Sequence, residues 1–288
     1  MRLKRDLEAL ASPAFEGRLP GSPGSHRAQQ LILGRFRELG LKPVNGAYEQ
    51  KFSFTHHSIK GAVTPGRHYT NEFPDATNLM GLLEGSVDPR RFILVSAHYD
   101  HLGVRDGVLY PGADDNASGV AAMLGAAAYF SQHPPRHSIV FVAFDAEEMG
   151  LRGAHYFVEH APIDLRSIIV NVNLDMVGRG DRNELYVAGT AQTPALREPV
   201  AAAAHGRSLR LLFGHDRPTY LSGRVESWVQ SSDHGAFHDR GVPFLYFGVE
   251  DHPDVHRPTD TADRIPQGFF VEAANLVVDV IDLLDRQS

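Results

Sequence analysis

The chain has 288 residues, 42% hydrophobic and 22% charged, which supplies apolar material for one large core or two small ones. A formal net charge of -7 weighs against a nucleic-acid binder, which needs a basic face, and no long run of one sign marks a charged tail. The absence of cysteine excludes disulfides, thiolate metal sites and cysteine nucleophiles.

Residues 1–18, "MRLKRDLEALASPAFEGR", carry basic residues without the continuous apolar core of a signal peptide. No segment has the apolar length of a membrane span. A cytoplasmic location is the default expectation, and a secreted one if a leader has been removed. The turn-rich "GRLPGSPGS" leads into a helix expected over 26–39, where Ala28, Leu31, Ile32 and Phe36 recur at helical spacing and Gly40 follows as a stop. Short apolar runs at 91–97, 138–144, 167–174 and 243–248 read as strands buried on both faces. Helices are expected at 117–132, 150–160, 193–205 and 266–284, the last with Phe270, Ala273, Val277, Ile281 and Leu284 on one stripe. Alternating strands and helices predict an α/β fold with three layers, α/β/α, around a central, mostly parallel mixed sheet. No repeat or low-complexity linker divides the chain, so residues 1–288 are expected to form one catalytic domain without a separate lid or inserted domain.

Sheets of this kind bind ligands beyond the carboxyl ends of their strands. After 91–97 come His98, Asp100 and His101; after "VLYPGA" come Asp114, Asp115 and Asn116; after 138–144 come Asp145, Glu147 and Glu148. Asp175 follows 167–174, and Asp251, His252, Asp254 and His256 follow 243–248. One aspartate at a strand end is a turn former or a cap. Several endings of one chemical kind, gathered on one edge, repel one another unless cations neutralise them. Histidine and carboxylate donors without sulfur suit Zn²⁺, with Mn²⁺ or Co²⁺ as substitutes. Two divalent ions balance three carboxylate ligands and a hydroxide, whereas a single ion leaves the cluster over-supplied with negative charge.

The segments "SAHYDHLG", "PGADDNASGVAAMLGAA", "FVAFDAEEMGLRGAHYF", "NLDMVGR", "SSDHGAFHDRGVPFLYF" and "HRPTDTADRI" together resemble the co-catalytic dizinc aminopeptidases, whose fold is shared by the glutaminyl cyclases and by a catalytically silent receptor ectodomain. The resemblance runs from about Asn78 to Ile265, and "LASPAFEGRLPGSPGS" is similar to the usual lead-in of that family. It implies that His98 and Asp175 hold one zinc, that Glu148 and His256 hold the other, and that Asp115 bridges both. Glu147 is then the general base, and Asp100 accepts the other ring N–H of His98 and fixes its tautomer. Asp114, Asp145 and His101 match no ligand position and are expected to serve turns, caps or the surroundings of the ligands. Asp233 and His234 are expected to shape the substrate site or pin their loop. Relatives often place a tyrosine just before the last ligand, where this chain has Val255, so an oxyanion donor is sought in Tyr220 or Tyr246.

The leading expectation is a zinc-dependent aminopeptidase acting on peptides with a free N-terminus, with no nucleic-acid or membrane partner. A carboxypeptidase, deacylase or glutaminyl cyclase on the same scaffold is the alternative. The cyclases work with one zinc, against which the full set of five ligands argues. A non-enzymatic relic is the third reading, and relics lose ligands that this chain keeps.

Overall fold

The computed structural model describes residues 2–59, 68–217 and 225–287. In chain order the elements are α1 (Arg2–Leu10), α2 (Pro23–Glu38), β1 (Glu49–Ile59), β2 (His68–Leu83), β3 (Asp88–His98), β4 (Gly103–Arg105), β5 (Val108–Tyr110), α3 (Gly119–Gln132) and β6 (His137–Phe144). Then follow α4 (Arg152–Glu159), β7 (Ile168–Leu174), β8 (Glu184–Ala188), α5 (Arg197–Ala204), β9 (Arg210–Phe213), α6 (His234–His238), β10 (Phe244–Gly248) and α7 (Gln267–Gln287).

Alternation along the strands decides which side each apolar residue covers. On β6, Ile139, Phe141 and Ala143 face the larger core, built with α1, α2, α3, α5 and α7. Val140, Val142 and Phe144 face the smaller core, which includes Phe157 of α4 and Phe237 of α6. Burial of each large apolar side chain stabilises by about 1.5–3 kcal/mol, so a strand apolar on both faces is held from both sides. The result is the expected three-layer α/β/α arrangement.

The eight-stranded sheet has the order β1-β2-β6-β3-β7-β10-β8-β9. Its centre, β6-β3-β7-β10, is parallel, as is β8 with β9, while β1 with β2, β2 with β6 and β10 with β8 pair antiparallel. From β3 the chain returns through α3 to β6 on one side, and then through α4 to β7 on the other. The carboxyl ends of the central strands therefore open on one edge, with the order reversing at β3, the place where α/β sheets bind ligands.

The four expected strands form close to their predicted positions. α2 starts three residues early, because Pro23 occupies the first turn and the Ser22 hydroxyl accepts the Ser25 N–H at 3.1 Å. A 3₁₀ turn over Pro194–Leu196 takes the first part of the helix expected at 193–205. α1, β1, β2, β8 and β9 were not anticipated. β1, "EQKFSFTHHSI", carries mostly polar side chains and draws its hydrogen bonds from β2 over a long antiparallel ladder.

Arg18 ties the N-terminal segment to the site. Its side chain is 0% exposed and donates to the carbonyls of Tyr99, Leu10 and Pro111 at 2.7 Å each and of Gly112 at 2.8 Å. Burial lowers its pKa to about 10, so it stays charged at neutral pH among the nearby Asp115, Asp100, Asp260 and Glu148. Beside it, Gly17 has φ 62 and a Cβ there would stand 2.3 Å from the Tyr110 carbonyl, so only glycine fits this approach. Among the described residues, no helix is long and apolar enough to cross a membrane.

Candidate metal centre

Five chain segments deliver the site. β3 ends on His98, β6 runs into the turn carrying Glu147 and Glu148, β7 is followed by Asp175, and the loop after β10 carries His256. Asp115 lies in the irregular turn Ala113–Ser118 that opens into α3, and its peptide bond to Asn116 is cis.

Asp115 stands between two histidines. Its Oδ1 is 3.4 Å from His98 Nε2 and its Oδ2 is 2.9 Å from His256 Nε2. On the first side, Asp175 Oδ1 is 3.2 Å from His98 Nε2. On the second, Glu148 Oε2 is 3.3 Å from His256 Nε2. Glu147 keeps further off, with Oε2 3.9 Å from His98 Nε2. Adjacent residues of one turn thus send one carboxylate into the histidine cluster and the other to its margin.

Asp100 is 0% exposed and lies on the Nδ1 side of His98. Its Oδ1 is 3.6 Å from that nitrogen, and the closer acceptor is its own carbonyl at 3.3 Å. The carboxylate instead accepts the backbone N–H of Glu147 at 3.0 Å and of Glu148 at 3.4 Å. Asp100 therefore fixes the turn bearing both glutamates, a role the sequence reading missed. The turn is strained: Ala146 sits at φ 58, ψ 36, a conformation that costs a non-glycine residue about 1–2 kcal/mol. Asp145 helps to hold it, accepting from Thr77 N–H at 2.9 Å and the Tyr99 hydroxyl at 2.8 Å. Burial, and then Asp100, pushes the Asp145 carboxyl up to about 7.

The loops bearing Asp115 and His256 clasp each other. Asp260 accepts the N–H groups of Asp114 at 3.0 Å and Asp115 at 3.1 Å. In return, Asp114 Oδ2 stands 3.1 Å from His252 Nε2, while its Oδ1 accepts Gly178 N–H at 2.7 Å. Arg179 and Arg264 both bind Asp254, which fixes the loop from outside. Four residues after a candidate ligand, Asp260 carries no signal that singles it out in the sequence.

The electrostatics are those of a cluster built around positive charge. Asp115 and then Glu148 raise the His256 pKa to about 11. Burial works against protonation of His98, yet Asp175 and Glu147 hold it well above the usual imidazole range. Burial pushes Glu147 well above the carboxylate range, with His98 drawing it down and Asp175 and Asp233 raising it. Without a cation, protons thus supply the compensating charge, and a metal entering the site displaces them.

The residues fit divalent cations. His98, Asp115 and Asp175 offer donor atoms all within 4.8 Å of one another, as do His101, Asp115 and Glu148. Among the described residues, Glu148 Oε1 is buried without a hydrogen-bond partner, a cost of about 1–3 kcal/mol or more that a cation removes. His101, expected at a turn, a cap or in the surroundings of the ligands, lies against one of them: its Nδ1 is 2.6 Å from Glu148 Oε1.

Asp233 and His234 lie behind the ligands. The Asp233 oxygens are buried without a partner among the described residues. Burial pushes that carboxyl well above its ordinary range, against the pull of His98. His234 Nε2 stands 2.8 Å from the Trp228 carbonyl, and burial lowers its pKa from 6.5 to about 3. The folded state therefore binds fewer protons than the unfolded state between these values, and stability falls as pH drops below 6.5, by about 1.4 kcal/mol per pH unit. In urea unfolding of the metal-free protein at pH 6.5, 5.5 and 4.5, His234→Gln is expected to lose stability less steeply than the wild type by that amount; parallel slopes would contradict it. Of the two tyrosines named from sequence, Tyr246 reaches the site, its hydroxyl 3.4 Å from the Asp175 carbonyl, and Tyr220 lies outside the described residues.

The profile of Peptidase family M28 matches residues 78–281. The chain is 30% identical to aminopeptidase YwaD of Bacillus subtilis over 233 residues, 77% of this chain and 47% of that one. It spans about half the length of the curated relatives it matches. A zinc aminopeptidase from Bacillus subtilis superimposes with a TM-score of 0.74 at 20% identity, covering 97% of this chain and 94% of that one. Porphyromonas gingivalis glutaminyl cyclase does so with a TM-score of 0.76 at 18% identity, covering 100% and 98%. At these identities the superpositions establish the shared fold.

Proposed function

The chain belongs to peptidase family M28, and from that membership we propose that it is a metallo-aminopeptidase, residues 1–288 forming one catalytic domain that takes residues from the free N-terminus of peptides. The observation that carries this reading is Asp115, whose two oxygens face His98 and His256 separately, with Asp175 and Glu148 on the two flanks. His98, Asp115 and Asp175 would hold one Zn²⁺, and Asp115, Glu148 and His256 the other. Bound there, the ions supply Lewis acidity, which polarises a carbonyl and acidifies a water.

The protein's own groups do the rest. Glu147 takes the proton of the attacking water and delivers it to the leaving amine. Asp100 holds the Glu147 backbone and so aims the side chain. Tyr246 is the candidate donor to the oxyanion, since its buried hydroxyl has only a weak bond at 3.4 Å. A cavity of about 520 Å³ next to Glu148, walled by Leu19, Phe73, Leu102, Val104 and Met149 and also by His56, Asn71, Arg105 and Asp106, has room for a substrate side chain.

A panel of amino-acyl chromogenic substrates, free and N-acetylated, with and without added zinc, tests the proposal. Free substrates should be cleaved and blocked ones spared; chelation should abolish turnover and zinc restore it. Equal hydrolysis of both forms would favour a deacylase or another peptidase, and release of ammonia from N-terminal glutamine would favour a cyclase. Metal analysis should reach two ions per chain, and a firm maximum of one would remove the two-ion centre.

A further inference from the structure

We propose that His101 is a direct ligand of the second cation, so that this half of the centre has four donors: His101, His256, Asp115 and Glu148. The inference rests on the two-cation reading above and adds a ligand to it.

The reasoning begins with what a buried histidine needs. The His101 side chain is 0% exposed, and neither ring nitrogen has a hydrogen-bond partner among the described residues. Glu148 Oε1 is unpartnered as well, and the two orphans are neighbours, with Nδ1 2.6 Å from Oε1 outside hydrogen-bonding geometry. Two such groups buried without a hydrogen bond are costly, and a cation bonded to both removes that cost. A histidine retained for packing bonds a nitrogen to a fixed acceptor, as His234 does with the Trp228 carbonyl. The acceptors nearest the His101 Nδ1 are instead two candidate ligands, Glu148 Oε1 at 2.6 Å and Asp115 Oδ2 at 3.8 Å.

Donor spacing agrees. Zinc bonds of about 2.0–2.2 Å put neighbouring donors roughly 3 Å apart, and a fifth position stays open to the water of the proposed reaction. Each histidine stands near both carboxylates at separations around that value: His101 is 3.8 Å from Asp115 Oδ2 and 2.6 Å from Glu148 Oε1, and His256 is 2.9 Å from Asp115 Oδ2 and 3.3 Å from Glu148 Oε2. The ring cannot back away, because the Gly112 backbone lies against it: a Cβ there would stand 2.5 Å from the ring carbons. The two histidines also divide the site between them. His256 has a side chain 54% exposed and closes the centre on the solvent side, while His101 closes it from within, their ring centroids 5.9 Å apart. On the first side, by contrast, the far nitrogen of His98 is already turned to the Asp100 carbonyl.

The test titrates metal-free protein with Co²⁺, reading visible absorption and bound metal, in wild type, His101→Ala and His101→Gln. Far-UV circular dichroism and the affinity for the first ion confirm that each variant is folded. The expected result is an unchanged first equivalent, a second that binds at least ten-fold more weakly, and a changed absorption band for the second ion. Wild-type affinity and an unchanged band in both variants would overturn the proposal. So would a lower melting temperature of the metal-free variants with second-ion binding unchanged, which assigns the ring to packing. A wild type that takes up only one Co²⁺ removes the two-cation reading itself, a failure distinct from that of His101 alone.

Discussion

Glu147→Gln is expected to lower kcat by about 10²–10⁴-fold while the protein keeps its full metal content. The amide matches the carboxylate in shape but can neither take a proton from water nor pass one to the leaving amine. Metal content should survive because Glu147 stands apart from the donors, 3.9 Å from His98 Nε2, whereas Glu148 approaches His101 to 2.6 Å and His256 to 3.3 Å. Glu148→Gln is the matched control, since the two residues share one turn and one anchor, Asp100. It should lose an ion along with turnover. Turnover on a leucyl chromogenic substrate, with metal analysis of the same samples, separates the cases. A Glu147→Gln protein that stays active would remove the base, and one that loses an ion would make Glu147 a ligand.

The legible parts of the chain were those where one physical demand writes a continuous pattern. β3, β6, β7 and β10 are apolar on both faces because helices cover both, and the carboxylates after them stand out against those runs. β1 and β2 lie at the sheet margin, where one face need not be apolar, so their ladder leaves no run to read. Pairwise roles were hidden for a different reason. The family resemblance implied Asp100 as a partner of His98, whose Nδ1 is 3.6 Å from it, and its shorter bond goes to Glu147, 47 residues away. Asp260 meets Asp114 across 146 residues, and Arg18 meets Gly112 across 94. His101 follows a candidate ligand by three residues, and only the turn after β3 brings it to Glu148. Spacing along the chain tells which residues can share an edge, and the closing of loops decides which of them touch.

That distinction bears most on Asp115, whose two oxygens face His98 and His256 on the two halves of the centre. Asp115→Ala is expected to weaken both cations by at least about 100-fold, beyond what loss of a supporting residue costs, and to abolish detectable turnover. Asp175→Ala should release the His98-side ion alone, and Glu148→Ala the His256-side ion alone. Burial would raise the Asp115 pKa, but His101, His256 and His98 hold it well below the usual range, so at neutral pH it is charged and ready to ligate without giving up a proton. Its backbone stays in place in the variant, because Asp260 grips the N–H groups of residues 114 and 115 and not the side chain. Loss of both ions would thus trace to the carboxylate itself. Metal counts after dialysis against a weak chelator, taken beside circular dichroism, decide the matter. An Asp115→Ala protein that keeps one ion at wild-type affinity would place Asp115 on a single metal and break the bridge.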